Sequence, residues 1–276
     1  MSPLKPVLAC LGSAGALLLA TLAAGLSGPP PSARAAAPPV GLILQVVPGQ
    51  DGTGTIKGRL VWGGSEIPKA AQLKADKDTQ VCGVKPLFSR ELAIDAKTKG
   101  MAYAFAYVSS PKGKNASAEK ALPKEVVIDQ KGCEFLPYST VMFKNQELVF
   151  KSSDNIGHNA RYSGFSNGTK NVALPPNGQY KTKLVAEKRP LTLNCDIHPW
   201  MKGWIMVLDH PFFAVTKEDG SFEIQGVPAG NQNLVVWQEK VGYVTPGAAK
   251  GQAVTVKAGG TTDVGNIVLD PSKVKK

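Results

Sequence analysis

Eight consecutive residues, Asn194-Cys195-Asp196-Ile197-His198-Pro199-Trp200-Met201, bring together a thiol, an imidazole and a thioether. Soft sulfur beside imidazole selects copper or zinc, and two imidazoles with one thiolate and a long, weak axial thioether describe an electron-transfer copper site. Such a set needs a second histidine. His158, in Asp154-Asn155-Ile156-Gly157-His158-Asn159, is the obvious source in a chain with only 3 histidines. Zinc remains the rival, because one thiolate with two imidazoles suits it too, although methionine is a poor zinc ligand. Taken singly, Cys195 reads as a buried structural thiol and Met201 as a core filler; their spacing with His198 and His158 is what argues for a metal. His210, between Asp209 and Pro211, reads as a cap or interdomain contact. Asn155 reads as turn chemistry.

These residues need a frame, and the pattern is one of short strands. Thr55 to Trp62 alternates and stops at Gly63-Gly64, Leu92 to Asp95 suits a strand, and Ala102 to Val108 puts Tyr103, Phe105 and Tyr107 on one face with alanines on the other. Residues 66–90 show no period, and Lys112 to Lys120 reads as a charged loop. Strand patterns then crowd together at Val126–Ile128, Thr140–Phe143, Glu147–Lys151, Lys183–Val185, Leu191–Leu193 and Trp204–Leu208. Beyond His210-Pro211 come an expected hairpin, Ala214–Ile224, around Asp219-Gly220, and strands at Leu234–Trp237, Ala253–Val256 and Asn266–Leu269. No helical period competes, so the fold expected is all-β, a sandwich or barrel.

The chain has 276 residues, 43% hydrophobic and 19% charged, which is enough for one large or two modest packed domains. Its net charge of +11 comes from cations scattered in ones and twos, without the dense basic run and interleaved aromatics of a nucleic-acid surface. Steering of an acidic protein partner, or solubility alone, fits that distribution better. Lys5, the apolar run Val7 to Leu26 and Ala33-Arg34-Ala35 read as an export leader over residues 1–35, followed by a linker over 36–52. An uncleaved membrane anchor is the other reading of that run. With Cys10 in the leader, Cys82, Cys133 and Cys195 remain. In an oxidising compartment Cys82 and Cys133 are expected to pair, leaving Cys195 for metal.

Residues 126–209 resemble a cupredoxin of the plastocyanin and amicyanin kind: Asn155 to Asn159 is similar to the approach to that family's first histidine ligand, and Cys195 to Met201 to its short C-x-x-H-P-aromatic-M loop. The resemblance implies His158, Cys195, His198 and Met201 as ligands of one type 1 copper in a Greek-key β-sandwich. It also implies a ligand-loop histidine near the surface in an apolar patch, with Trp200 in that patch and Asn159 tying the ligand loops together. Leu193 departs from the pattern, standing where an aromatic is common. Residues 211–270, with Asp219 to Gly230, resemble the last strands of carboxypeptidase-regulatory-like sandwiches, and Gly54 to Gly64 in segment 53–125 the first strand. The flanks are therefore expected to build a second β-sandwich with the cupredoxin inserted between them, an arrangement similar to secreted methylamine-utilisation-like proteins.

The function this implies is one-electron transfer outside the cytoplasm, in the periplasm or beyond the cell, with an unidentified redox partner protein. A non-catalytic copper-binding or cell-surface interaction module is the alternative. Multicopper oxidases and copper nitrite reductases need more histidines than three, and a binuclear copper centre needs two neighbouring cysteines where only Cys195 is local. No phosphate-cradling glycine pattern leads into a helix, so no enzyme activity is expected.

Overall fold

In the computed structural model, residues 52–275 are described; the leader and nearly all of the linker lie outside them. The first flank contains β1 (Thr53–Trp62), a two-residue pair β2 (Gln72–Leu73) and β3 (Leu87–Phe88) with the single-turn helix α1 (Thr79–Cys82) between them, then β4 (Phe105–Val108) and the short helix α2 (Ala116–Ala121). Next come β5 (Glu125–Gln130), β6 (Phe135–Leu136), β7 (Ser139–Phe143), β8 (Glu147–Ser152), β9 (His158–Ser163), β10 (Thr169–Leu174), β11 (Gln179–Thr182), β12 (Leu191–Asn194) and β13 (Lys202–Leu208). The second flank supplies β14 (Phe213–Val215), β15 (Ser221–Pro228), β16 (Gly230–Gln238), β17 (Gly242–Tyr243), β18 (Gln252–Val256) and β19 (Thr261–Leu269).

Strands β5 to β13 make two facing sheets, ordered β10-β9-β12-β13-β7 and β11-β8-β5-β6, which form a β-sandwich. The flanks make two more. β1 lies between β15, antiparallel, and β19, parallel, while β4 lies between β14 and β16. The middle strand of one flank sheet and an inner strand of the other thus precede the inserted sandwich in sequence, and their partners follow it.

Side-chain alternation divides the interior into three clusters. On β13, Ile205 and Val207 point into the inserted sandwich with Phe135, Phe150 and Leu191, whereas Met206 and Leu208 point the other way. There they meet Phe105 and Tyr107 of β4 and Val235 and Trp237 of β16. The opposite faces of those two strands, Ala104, Ala106, Leu234 and Val236, line the flank core with Ile56, Leu60 and Ile224. The aromatic and alanine faces of residues 102–108 are thus two buried faces, one against each sandwich. Each fully buried side chain of the Val, Leu or Phe class contributes roughly 1.5–3 kcal/mol. Polar contacts join the sandwiches as well: Tyr138 Oη and Trp204 Nε1 donate to the two oxygens of Glu239, at 2.7 and 2.8 Å.

Several local expectations differ from the structure. Leu92–Asp95 forms only a bridge between Ile94 and Met101, because the Asp95 side chain accepts from Thr98 N and turns the chain back. Within Lys112–Lys120 the helix α2 starts where Asn115 Oδ1 accepts from Ala118 N. The strand expected at Lys183–Val185 falls earlier, at β11. The Asp219-Gly220 turn is present, with Lys217 N donating to Ser221 O, but β14 and β15 pair with β4 and β1 in different sheets.

Candidate metal centre

His158 opens β9, Cys195 follows β12 and Met201 precedes β13. β12 pairs with β9 through Asn194↔Arg161 and with β13 through Asn194↔Lys202, so two ladders converge where the ligand types sit. The connection from Cys195 to Met201 is closed by Cys195 N donating to Met201 O at 3.2 Å and Met201 N donating to His198 O at 2.9 Å. Pro199 occupies the second position of that turn, where its fixed φ is favourable.

His158 Nδ1 and His198 Nδ1 lie 2.9 Å apart, and Cys195 Sγ lies 3.8 Å from His198 Nδ1. One ion bonded at about 2.0 Å to nitrogen and about 2.3 Å to sulfur spans separations up to roughly 4 Å, which suits these two pairs, and all three donor atoms lie within 4.8 Å of one another. His158 and Cys195 are 1% exposed and His198 is 0% exposed. Met201 is buried in the same cluster as Cys195. Cys133 Sγ also approaches His158 and Asp154, but it is committed to the disulfide with Cys82. Cys195 is the free thiol among the described residues.

The outer contacts fix the tautomers. His158 Nε2 lies 3.0 Å from Asp154 Oδ2, and His198 Nε2 lies 2.8 Å from Asp78 Oδ2. A carboxylate takes the Nε2–H of each ring, which leaves the Nδ1 lone pairs facing each other. Two buried lone pairs at 2.9 Å repel unless a proton or cation lies between them. Carboxylate–histidine pairing of this kind orients metal ligands and raises their basicity. Asp154 is itself held by Gly132 N at 2.6 Å and Cys133 N at 2.9 Å. Burial holds the His158 ring below the usual histidine range against the opposing pull of Asp154, which favours the neutral form that binds metal.

Asn159 joins the two ligand segments. Its Oδ1 accepts from Asp196 N at 2.8 Å, Ile197 N at 3.2 Å and the Cys195 thiol at 3.3 Å, and its Nδ2 donates to Asn171 Oδ1 at 2.7 Å. Metal binding displaces the thiol proton. The half-buried Trp200 ring stands 5.1 Å from the His198 ring, and its Nε1 is buried without a partner. Pro199, Trp200 and Met201 face a cleft of about 460 Å³ with Phe88, Phe135 and Tyr138.

One sequence expectation differs here. The loop histidine does not lie in an exposed apolar patch, since Asp78 from the first flank covers its outer nitrogen. His210 stands apart from the site; its Nδ1 accepts from Phe212 N at 3.2 Å, its ring stacks on Phe212, and burial lowers its pKa to about 4. Asn155 is exposed in a bend. Asp78 and Asp154 were not anticipated. Asp154 carries a usable signal, four residues before His158, whereas Asp78 reaches His198 across 120 positions.

No protein-family model matches the chain, and no curated protein matches it either. Among solved structures it is similar to amicyanin from Paracoccus versutus, at 18% identity over 37% of this chain and 97% of that one, TM-score 0.28. It is also similar to a purple cupredoxin from Nitrosopumilus maritimus, at 14% identity over 31% of this chain and 100% of that one, TM-score 0.27. A Cu-containing nitrite reductase from Thermus scotoductus matches at 20% identity and TM-score 0.29, over 32% of this chain and only 23% of its own length.

Proposed function

We propose that the protein is an exported mononuclear copper protein that carries single electrons, in which His158 Nδ1, His198 Nδ1, the Cys195 thiolate and Met201 would hold the ion. The observation that carries this reading is the pair of buried Nδ1 atoms 2.9 Å apart, each ring backed by a carboxylate, beside the one free thiol among the described residues. Bound copper supplies a couple between its +1 and +2 states. The residues around it keep the donors fixed, so that little rearrangement accompanies a change of charge. β9, β12 and β13 hold three of the four donor segments in hydrogen-bonded register, Asn159 ties the loops, and Asp78 and Asp154 lock both rings. On this reading no substrate is turned over, and the partner is another redox protein. Export agrees with the leader-like residues 1–35 and with the disulfide, which persists in oxidising compartments. Among the described residues no helix is long and apolar enough to cross a membrane.

The test is metal analysis and optical spectroscopy of natively purified protein, followed by Cu(II) loading. An intense thiolate-to-copper band, absent in Cys195→Ser, is expected, together with a reversible couple. Tight zinc binding without such a band refutes electron transfer. A copper site silent to redox mediators favours the alternative of a copper-holding or cell-surface module.

A further inference from the structure

We propose that Asp78 is a positioning residue of the metal centre, delivered by a cap that the Cys82–Cys133 disulfide fastens and that dithiol reductants release. The cap is the segment 72–88. Its ends pair through Gln72↔Phe88 and Leu73↔Leu87, and Ser89 N donates to Ala71 O at 2.8 Å. Between them α1 has only four residues, far too few to be stable alone. Asp78 precedes α1 in the left-handed region at φ 50°, which aspartate tolerates better than most residues. Its carbonyl accepts from Val81 N and Cys82 N, both at 2.9 Å. The Asp78 carboxylate and the Cys82 sulfur therefore sit at the two ends of one hydrogen-bonded turn. The first holds His198 Nε2 and the second is bonded to Cys133.

Cys133 links the cap to the other ligand as well, since its N–H donates to Asp154 Oδ2, the atom that contacts His158 Nε2. One covalent bond thus stands between the two carboxylates that orient the two histidines. Beside the disulfide, the cap rests on the inserted sandwich through Leu73, Ala75, Val81 and Leu87, and Lys85 pairs with Glu134 at 3.3 Å. Cys82 and Leu87 are buried, but Val84 is 77% exposed and Phe88 49% exposed. Reduction is balanced: a dithiol gives two electrons and two protons to the cystine, yielding two thiols, and is itself oxidised to a disulfide. The freed turn then lifts Asp78 from His198 and opens the ring edge.

The inference rests on reading His158, Cys195 and His198 as a metal site, but the measurement is made on metal-free protein so that the two fail separately. Native-state labelling of Cys195 by a thiol reagent, located by peptide mass, is expected to run at least tenfold faster in Cys82→Ser/Cys133→Ser than in the wild type. In Asp78→Ala it is expected to be at least threefold faster. Asp78→Asn, whose side-chain oxygen still accepts from Nε2–H, is expected to retain the wild-type rate. Rates within twofold of wild type in both the double variant and Asp78→Ala overturn the cap, and an Asn variant as fast as the Ala variant overturns the positioning role. Hydrogen exchange of the wild type after brief dithiol treatment covers the case of a double variant that does not fold. Val81 and Cys82 amides should lose protection while those of Cys195 and Trp204 keep it; loss in all four, or in none, overturns the proposal. Protein that binds no metal yet shows these rates leaves the cap standing and removes the metal reading.

Discussion

Replacing Asn159 by alanine isolates the contribution of one side chain to the joined ligand loops. Its Oδ1 is the acceptor for Asp196 N, Ile197 N and the Cys195 thiol, and it stands in a residue only 5% exposed. Each hydrogen bond of this sort contributes about 1 kcal/mol net, and a buried donor left without a partner costs about 1–3 kcal/mol. The side chain of Asp196 is at the surface, so water can reach part of that strand end, whereas Ile197 is half-buried. The expected loss is therefore about 2–4 kcal/mol for Asn159→Ala. With a urea m-value of about 2 kcal/mol/M, the midpoint falls by roughly 1–2 M. The loosened loop should also bind metal about 10–100-fold more weakly, as loss of an outer-shell partner generally does. Urea unfolding of the metal-free protein and a competitive chelator titration measure the two effects independently. A stability change under about 0.5 kcal/mol together with unchanged affinity would refute the assignment of Asn159 as the tie between His158 and Cys195.

Acid should weaken the fold through His210, whose folded pKa of about 4 lies below the usual 6.5. The unfolded chain takes up the proton first, so stability is unaffected above pH 6.5 and falls between 6.5 and about 4, by about 3 kcal/mol for this group. His210→Asn, which can still accept from Phe212 N, should lose less stability over that window when unfolding is compared at pH 7 and pH 4.5. Gly100→Ala should cost more than about 3 kcal/mol, because a Cβ there would come within 1.9 Å of Asp219 O and 2.0 Å of its carbon, both backbone atoms; an unchanged melting temperature contradicts this. Glu239→Ala leaves the Tyr138 hydroxyl and Trp204 N–H without acceptors between the two sandwiches and should cost about 2–4 kcal/mol. A variant that unfolds at the wild-type urea concentration would show that water replaces the carboxylate. Removing bound metal should lower the melting temperature, and titrating it back should restore the temperature in a concentration-dependent way.

The candidate site was legible because the residue types that ligate copper or zinc are rare in this chain. Three histidines and one cysteine outside both the expected leader and the expected disulfide leave few combinations, and the Cys195 to Met201 spacing is local. The all-β frame was legible where one or both faces of a strand are buried, as in β1, β7, β8 and β16. It failed where strands are mostly solvated: β10, Thr169–Leu174, buries only Leu174 and so has no period to find. β9 was missed although its residues are largely buried, because Asn159 and Arg161 are polar residues serving the site and interrupt the apolar pattern. Asp78 was invisible for another reason. The segment around it folds only by resting on the inserted sandwich, so its own sequence carries neither helix nor strand signal.

The placement of the inserted sandwich bears on how stiff the site is. A ligand loop hung on an edge strand would be free to flex with that strand. β13, which Met201 immediately precedes, is instead covered on both faces, by Ile205 and Val207 inward and Met206 and Leu208 toward β4 and β16. It is also paired on both sides, with β12 and β7. Interiors packed at this density deform little. The flanks thus act on the candidate site in two ways, backing the strand that follows the Cys195–Met201 loop and supplying Asp78 to the outer nitrogen of His198. The inserted sandwich cut free of them would keep its four proposed ligands but lose the carboxylate that contacts one ring and the surface that steadies the loop. Both contributions come from residues outside 126–209, so the candidate metal centre draws on the flanks as well as on the inserted sandwich.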